Sequence, residues 1–198
     1  MNKLTDRQKQ AINTKIKITK VATDLFKTKG FNSVKIQDIC EAAGISIGAF
    51  YHHFKSKMEI INIAYEQVDI LLMDRFEEGE FNSYIDKLIF LLEEGAHMME
   101  ELGWIFVGEI YKNLISTEGK YSTHPERHIT LLVKSILEDA LKNNELDNSI
   151  SPSELTMIIM RISRGDIFDW CLHEGNYDLK SRIAYDLNLI LSNFKLKI

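Results

Sequence analysis

The sequence predicts an all-α protein, and three observations carry that prediction. Proline occurs only twice and glycine ten times in 198 residues, so long helices are seldom interrupted. Apolar residues recur at helical spacing along most of the chain. Serine, proline and glycine stand where such helices would begin and end. With 45% hydrophobic and 27% charged residues, the composition is that of an ordinary soluble globular protein. The length suits a small head joined to a larger body.

Residues 1–10 read as a polar, partly disordered start. A first helix is expected from about Ala11 to Thr28, with Ile18, Val21, Ala22, Leu25 and Phe26 on one face and Gly30 as its left-handed stop. The second begins near Ser33 or Val34 and ends at Ala43, with Ile36, Ile39 and Cys40 inward and Gly44 closing it. Ser46 caps a short third helix, about Ile47 to Phe54. Ser56 and Glu59 form a capping-box pattern that opens a long fourth helix with Ile61, Tyr65, Val68, Leu72 and Phe76 buried.

Gly79 interrupts the pattern, and a fifth helix runs from about Asn82 to Glu100 with Ile85, Leu88, Leu92, Ala96 and Met99 in register. Gly103 marks a bend before a sixth segment, Trp104 to about Ile115. After a polar loop over 116–123, a seventh helix starts near Pro125 and reaches about Lys142. Ser151-Pro152-Ser153-Glu154 combines a serine cap, a first-turn proline and a glutamate three residues on, so it opens an eighth helix that runs to about His173. A ninth follows Gly175, from about Asp178 to Phe194, with Ile183, Leu187, Ile190, Leu191 and Phe194 as its stripe.

The second helix, the Gly44-Ile45 turn and the third helix have the spacing of a helix-turn-helix. A turn this tight forces a steep crossing and leaves the third helix free to lie in a major groove, N-terminal end toward the bases. Ser46, Ile47, Gly48 and Ala49 stand at that end; small side chains allow close approach, and Ile47 suits a thymine methyl. Tyr51 and His52, one turn on, would reach phosphates or a base edge, and Lys35, Lys55 and Lys57 are placed for phosphates. Charge agrees: residues 1–60 hold 11 Lys+Arg and 5 Asp+Glu, a net +6 against −5 for the whole chain. A basic head on an acidic body implies a polyanion partner at one end.

The same residues carry a family resemblance over 16–61. They are Ala22-x-x-Leu25-Phe26, then Gly30-Phe31, then Ile36-x-Asp38-Ile39-Cys40-x-x-Ala43-Gly44-Ile45-Ser46, and last Gly48-x-x-Tyr51-x-His53-Phe54-Lys55-x-Lys57. This stretch resembles the DNA-binding domain of the TetR family of regulators. The resemblance implies that Ile47, Gly48 and Ala49 face bases, that Tyr51, His52 and Lys57 meet the backbone, and that Phe54 is core. Two positions depart from the family: Val34-Lys35 stand where a hydroxyl residue is usual before the second helix, with Lys35 expected to take over a phosphate contact, and Cys40 replaces an alanine.

The resemblance further implies division into a helix-turn-helix domain, residues 1–56, and a helical effector-binding and dimerisation domain, residues 57–198. The eighth helix permits dimerisation, because Leu155, Met157, Ile158, Ile159, Met160 and Ile162 make it apolar on more than one face. With the ninth helix it would form a four-helix bundle across a two-fold axis, spacing two recognition helices about 34 Å apart on a palindromic operator. Met98, Met99, Trp104, Phe106, Tyr111 and Trp170 are the candidates for lining a small-molecule pocket, or else plain core. Glu93, Glu94, Glu100, Glu101 and Glu109 would favour a cationic ligand, or else are solvated.

His124 and His128 lie four apart, but no third ligand stands nearby in sequence, so neither a metal nor another cofactor is expected. His97 reads as a packed or surface histidine. Cys40 and Cys171 are expected as separate reduced thiols. The first twenty residues lack an apolar core and no apolar run is long enough to span a bilayer, which predicts a cytoplasmic protein without a membrane partner. No phosphate-cradling glycine loop, nucleophile turn or acid–base cluster points to an enzyme. The expected function is a dimeric, effector-released transcriptional repressor. A regulator without a small effector is the alternative, with a helical adaptor or an enzyme as readings from other classes.

Overall fold

A computed structural model describes residues 5–77, 79–114, 123–124 and 126–194. Its helices follow one another as α1 (Asp6–Lys29), α2 (Ile36–Ala43), α3 (Ile47–His53), α4 (Lys57–Glu77) and α5 (Tyr84–Leu102). Next come α6 (Trp104–Leu114), α7 (His128–Lys142), α8 (Pro152–Leu172) and α9 (Leu179–Leu191). Among the described residues there is no strand, and no helix is long and apolar enough to cross a membrane.

Several boundaries differ from the sequence reading; α5 spans Tyr84–Leu102, two residues later than expected at each end, and α9 stops at Leu191, short of Phe194. α1 starts at Asp6, so residues 6–10, expected as an irregular start, extend the helix by more than a turn. α2 starts at Ile36 because the Asp38 carboxylate accepts from the backbone N–H of Lys35 at 2.7 Å, which fixes Lys35 as the residue outside the helix. α7 starts at His128, not near Pro125, which lies outside the described residues together with most of the expected polar loop. The remaining stops behave as their chemistry requires. At Gly103 the chain takes φ 83°, a left-handed value that lets α5 end and α6 begin within one residue.

Two apolar cores organise the molecule. In the head, Ile18, Ala22, Phe26, Val34, Ile39, Ala43 and Phe50 are fully buried, and Phe54 nearly so. Phe106, Ile110 and Leu114 of α6 join this core, with Phe106 stacked on Phe26 at 6.1 Å. The body core gathers α5, α7, α8 and α9 around Leu88, Leu91, Val133, Leu137, Ile159 and Leu187. α5 is its central rod and packs on both α7 and α9.

α4 belongs to both cores. Ile60 and Ile61 are buried in the head, while Leu72 and Phe76 are buried in the body. Val68 is half-buried between them, and the Tyr65 side chain, expected on this face, lies outside the described residues. One helix therefore carries the head on the body.

α8 and α9 are buried on one side only. Leu155, Ile159, Met160, Ile183 and Leu187 face the core, whereas Met157, Phe168, Leu172, Tyr185 and Leu189 are exposed. Ile158 and Ile162 are half-buried. The result is five large exposed side chains on two helices that pack together, the kind of surface that marks an interaction site.

Candidate nucleic-acid interface

The turn between α2 and α3 is built by three local devices. Gly44 adopts φ 64°, ψ 42°, and its N–H and that of Ile45 bond back to the Glu41 and Cys40 carbonyls. Any residue with a Cβ would be strained there. One residue on, the Ser46 hydroxyl accepts from the Ala49 N–H at 3.1 Å and caps α3. Phe50 then plugs α3 into the head core, its ring tilted against that of Phe54 at 5.6 Å, and Phe54 caps the helix C-terminus.

With Phe50 facing inward, the opposite face of α3 faces solvent. Ile47 is 50% and Tyr51 55% exposed; Gly48 and His52 are also exposed, and Ala49 is half-buried. Ser46 is exposed just before the helix and Lys55 just after it, and Lys35 is exposed at the start of α2. Placing a branched apolar residue and a tyrosine in water has no folding benefit, so this surface suits a partner. His53 packs inward, where burial first, then the neighbouring His52 and Lys15, depress its pKa and keep it neutral.

Lys57 departs from its expected place at a phosphate. Its ammonium donates to the carbonyls of Phe31 at 2.8 Å and Val34 at 2.6 Å, and lies over the Phe31 ring at 4.5 Å. Burial lowers its pKa, against the opposing pull of Asp38. Lys57 thus ties the α1–α2 connection to the start of α4. The sequence gives no sign of this, because the two carbonyls lie 26 and 23 residues away in the chain.

In the body, a cavity of about 80 Å³ opens between α4, α5, α6, α7, α8 and α9. Its walls are mostly aliphatic, with Leu72, Leu91, Leu92, Met99, Met160, Ile167 and Ile183 prominent. The polar exception is an ion pair: Asp69, 1% exposed, receives two bonds from Arg127, at 2.9 and 2.7 Å. Arg164 and Ser163 also border the space.

Of the residues expected at a pocket, Tyr111 and Met99 border this cavity. Phe106 is in the head core and borders a separate cleft. Met98 is buried in the body core away from the cavity, and Trp104 packs against Gly175. Trp170 is buried with its indole N–H on the Tyr177 carbonyl at 3.0 Å. Periodicity locates inward faces but cannot tell a cavity wall from solid core. The Asp69–Arg127 pair left one trace in the sequence, since Asp69 is a lone acid inside the apolar stripe running from Val68 to Leu72.

The glutamates are occupied elsewhere. Glu93 and Glu94 pair with Lys180, Glu100 caps the N-terminus of α9, and Glu109 accepts from Asn32. His97 is exposed beside Glu100 and Glu101. Cys40 is buried and Cys171 half-buried, each a free thiol, and burial alone raises the Cys171 pKa to about 11.

Comparison with known proteins agrees with this geometry. Residues 18–62 match the family model described as bacterial regulatory proteins, tetR family. The HTH-type transcriptional regulator UidR of Escherichia coli strain K12 is 26% identical over 169 residues, covering 82% of this chain and 84% of that protein. The transposon Tn10 TetC protein of Escherichia coli is 32% identical over 135 residues, 62% of each chain. Among solved structures, Thermus thermophilus FadR, a TetR-family transcriptional repressor in complex with lauroyl-CoA, superposes with a TM-score of 0.72 at 17% identity, covering 93% of this chain and 96% of that one. Salmonella enterica GusR superposes with a TM-score of 0.60 at 18% identity, covering 96% and 100%. The exposed α3, the matched head and the shared helical body agree: residues 18–62 match the tetR family of bacterial regulatory proteins, most of the chain is similar to an HTH-type transcriptional regulator, and its fold is that of a TetR-family repressor.

Proposed function

We propose that this protein is a dimeric cytoplasmic repressor that holds a palindromic operator with α3 and releases it when a small molecule enters the body. Residues 1–56 act as the DNA-binding unit and 57–198 as the effector and dimerisation unit. No catalytic step is assigned to the chain. The observation that carries the reading is α3 itself, anchored by buried Phe50 and presenting Ile47, Gly48, Tyr51 and His52 to solvent. In this reading Ser46, Ile47, Gly48 and Ala49 approach base edges, while Tyr51, His52, Lys35 and Lys55 meet the backbone. The exposed apolar face of α8 and α9 supports pairing of two subunits as a four-helix bundle.

Release would act through α4. Val68, Asp69 and Leu72 of α4 border the cavity, and Ile60 and Ile61 of the same helix are buried in the head. An effector that favours one position of α4 shifts the spacing of the two recognition helices and so the affinity for operator. The cavity favours this over a regulator without an effector, whose body needs no such space. Thermus thermophilus FadR, a repressor of this fold, forms a complex with lauroyl-CoA, which supports a small-molecule effector here.

The test is a gel shift against the DNA upstream of the protein's own gene, with salt titration. Binding should be sequence-selective. With Lys35 and Lys55 from two subunits at phosphates, log K should fall against log salt with a slope of about −4 or steeper. Binding that ignores sequence overturns the reading.

A further inference from the structure

The body cavity has a neighbour. A cleft of about 310 Å³ lies between α1, α4, α5 and α6, where head meets body. Ile16, Leu71, Met99, Leu102, Phe106 and Ile110 give it an apolar lining, and Lys20, Thr23 and Asp24 supply polar groups. Val68 and Met99 border both spaces. Two side chains are therefore shared between cavity and cleft, one of them an unbranched methionine that changes rotamer at little cost.

The sizes are informative. At ~10–15 Å³ for each water-sized group, the 80 Å³ cavity alone holds a ligand of about five to eight heavy atoms. A ligand of that size touches α4 but not α1. A longer one has an apolar route onward past Val68 and Met99, which line both spaces, into the cleft, where Ile16 and Thr19 of α1 stand. Ile16 is 49% and Leu71 53% exposed, so the cleft displays apolar surface among the described residues.

We infer that cavity and cleft form one elongated site for a linear aliphatic chain with a polar end, the polar end beside the Asp69–Arg127 pair and the tail passing Val68 and Met99 to lie between head and body. The inference rests on the effector reading above and names the class of effector. A tail in the cleft touches α1 and α4 together, so it bears directly on the head. A compact ligand confined to the cavity bears on the head only through α4.

The experiment is a chain-length series on the full-length protein, with hexanoate, octanoate and decanoate, and 1-hexanol and 1-decanol as uncharged counterparts. Binding is followed by isothermal titration calorimetry. Burial of each added methylene is worth ~0.8 kcal/mol, a factor of about four in affinity, so decanoate should bind roughly 200-fold tighter than hexanoate. The alcohol arm reports whether the polar end must be charged, and the chain-length gain is expected in both arms. Leu71→Trp, a substitution at an exposed cleft position, should remove the gain beyond six carbons and leave hexanoate binding unchanged. Affinity that stops rising at six carbons, equal loss of all chain lengths in Leu71→Trp, or no binding of any chain overturns the inference. Operator binding without any chain present is measured in parallel. Selective operator binding with no chain-length effect removes only the inference, whereas absent selective binding removes the repressor reading.

Discussion

Phe50→Ala and Tyr51→Ala are neighbours in sequence with opposite expected outcomes. Phe50 is fully buried between α3 and the rest of the head, against Phe54 at 5.6 Å. Truncating a buried phenylalanine costs about 3–5 kcal/mol. That is a large share of the ~5–15 kcal/mol that holds a typical domain together. The loss falls on the head, because the body core is a separate cluster. Phe50→Ala should therefore melt in two steps, an early one for the head and a later one close to the wild-type temperature for the body, and should lose operator binding. Tyr51 is 55% exposed and touches Phe50 edge-on at 5.5 Å, so its loss costs about 1 kcal/mol of stability at most. Its hydroxyl on a phosphate is worth about 1.5–3 kcal/mol, roughly tenfold or more in affinity. Calorimetry and gel shift on both variants decide the matter. A Tyr51→Ala protein that unfolds, or a Phe50→Ala protein that melts and binds like wild type, would refute the assignment of the two faces of α3.

Four further outcomes follow from particular side chains. Lys57→Met removes two charge-assisted bonds to the Phe31 and Val34 carbonyls and should lower urea stability of the head by about 2 kcal/mol, while Lys55→Met leaves stability alone and makes the salt slope of DNA binding shallower by about one for each phosphate that the lysine neutralised. Asp166 has its pKa raised to about 6, chiefly by burial and then by Asp186, with Asp169 adding to the shift and Arg182 opposing it. A raised carboxyl is destabilising once ionised, so its penalty appears as pH rises from the usual carboxylate range through about 6. Asp166→Asn should raise the melting temperature at pH 8 and leave it unchanged at pH 4; an equal shift at both would contradict that cause. Leu189→Glu places a charge on the exposed face of α9 and should shift sedimentation from dimer toward monomer, with a monomeric wild type being the adverse result.

What the sequence made legible is what local chemistry decides. Gly44, Ser46 and the capping pattern at Ser151 each act within four residues, so the helix-turn-helix and the start of α8 can be read without a fold. The buried face of α5 follows from 3.6-residue periodicity alone. Asp6 to Gln10 show where such reading stops, since polar residues carry no periodicity to mark the first turns of α1.

Only the tertiary structure could decide which inward faces meet solid core and which border space. Trp170 and Tyr111 look alike in sequence, yet one donates to a carbonyl in packed interior and the other borders a cavity. Lys57 looks like a phosphate ligand until Phe31 and Val34 are brought beside it. Asp69 and Arg127 are 58 residues apart and form a pair only because α4 lies against the start of α7. The division is physical. Turns and caps are set by bonds between near neighbours, whereas cavities and buried ion pairs depend on how whole helices pack, which no short stretch of chain encodes.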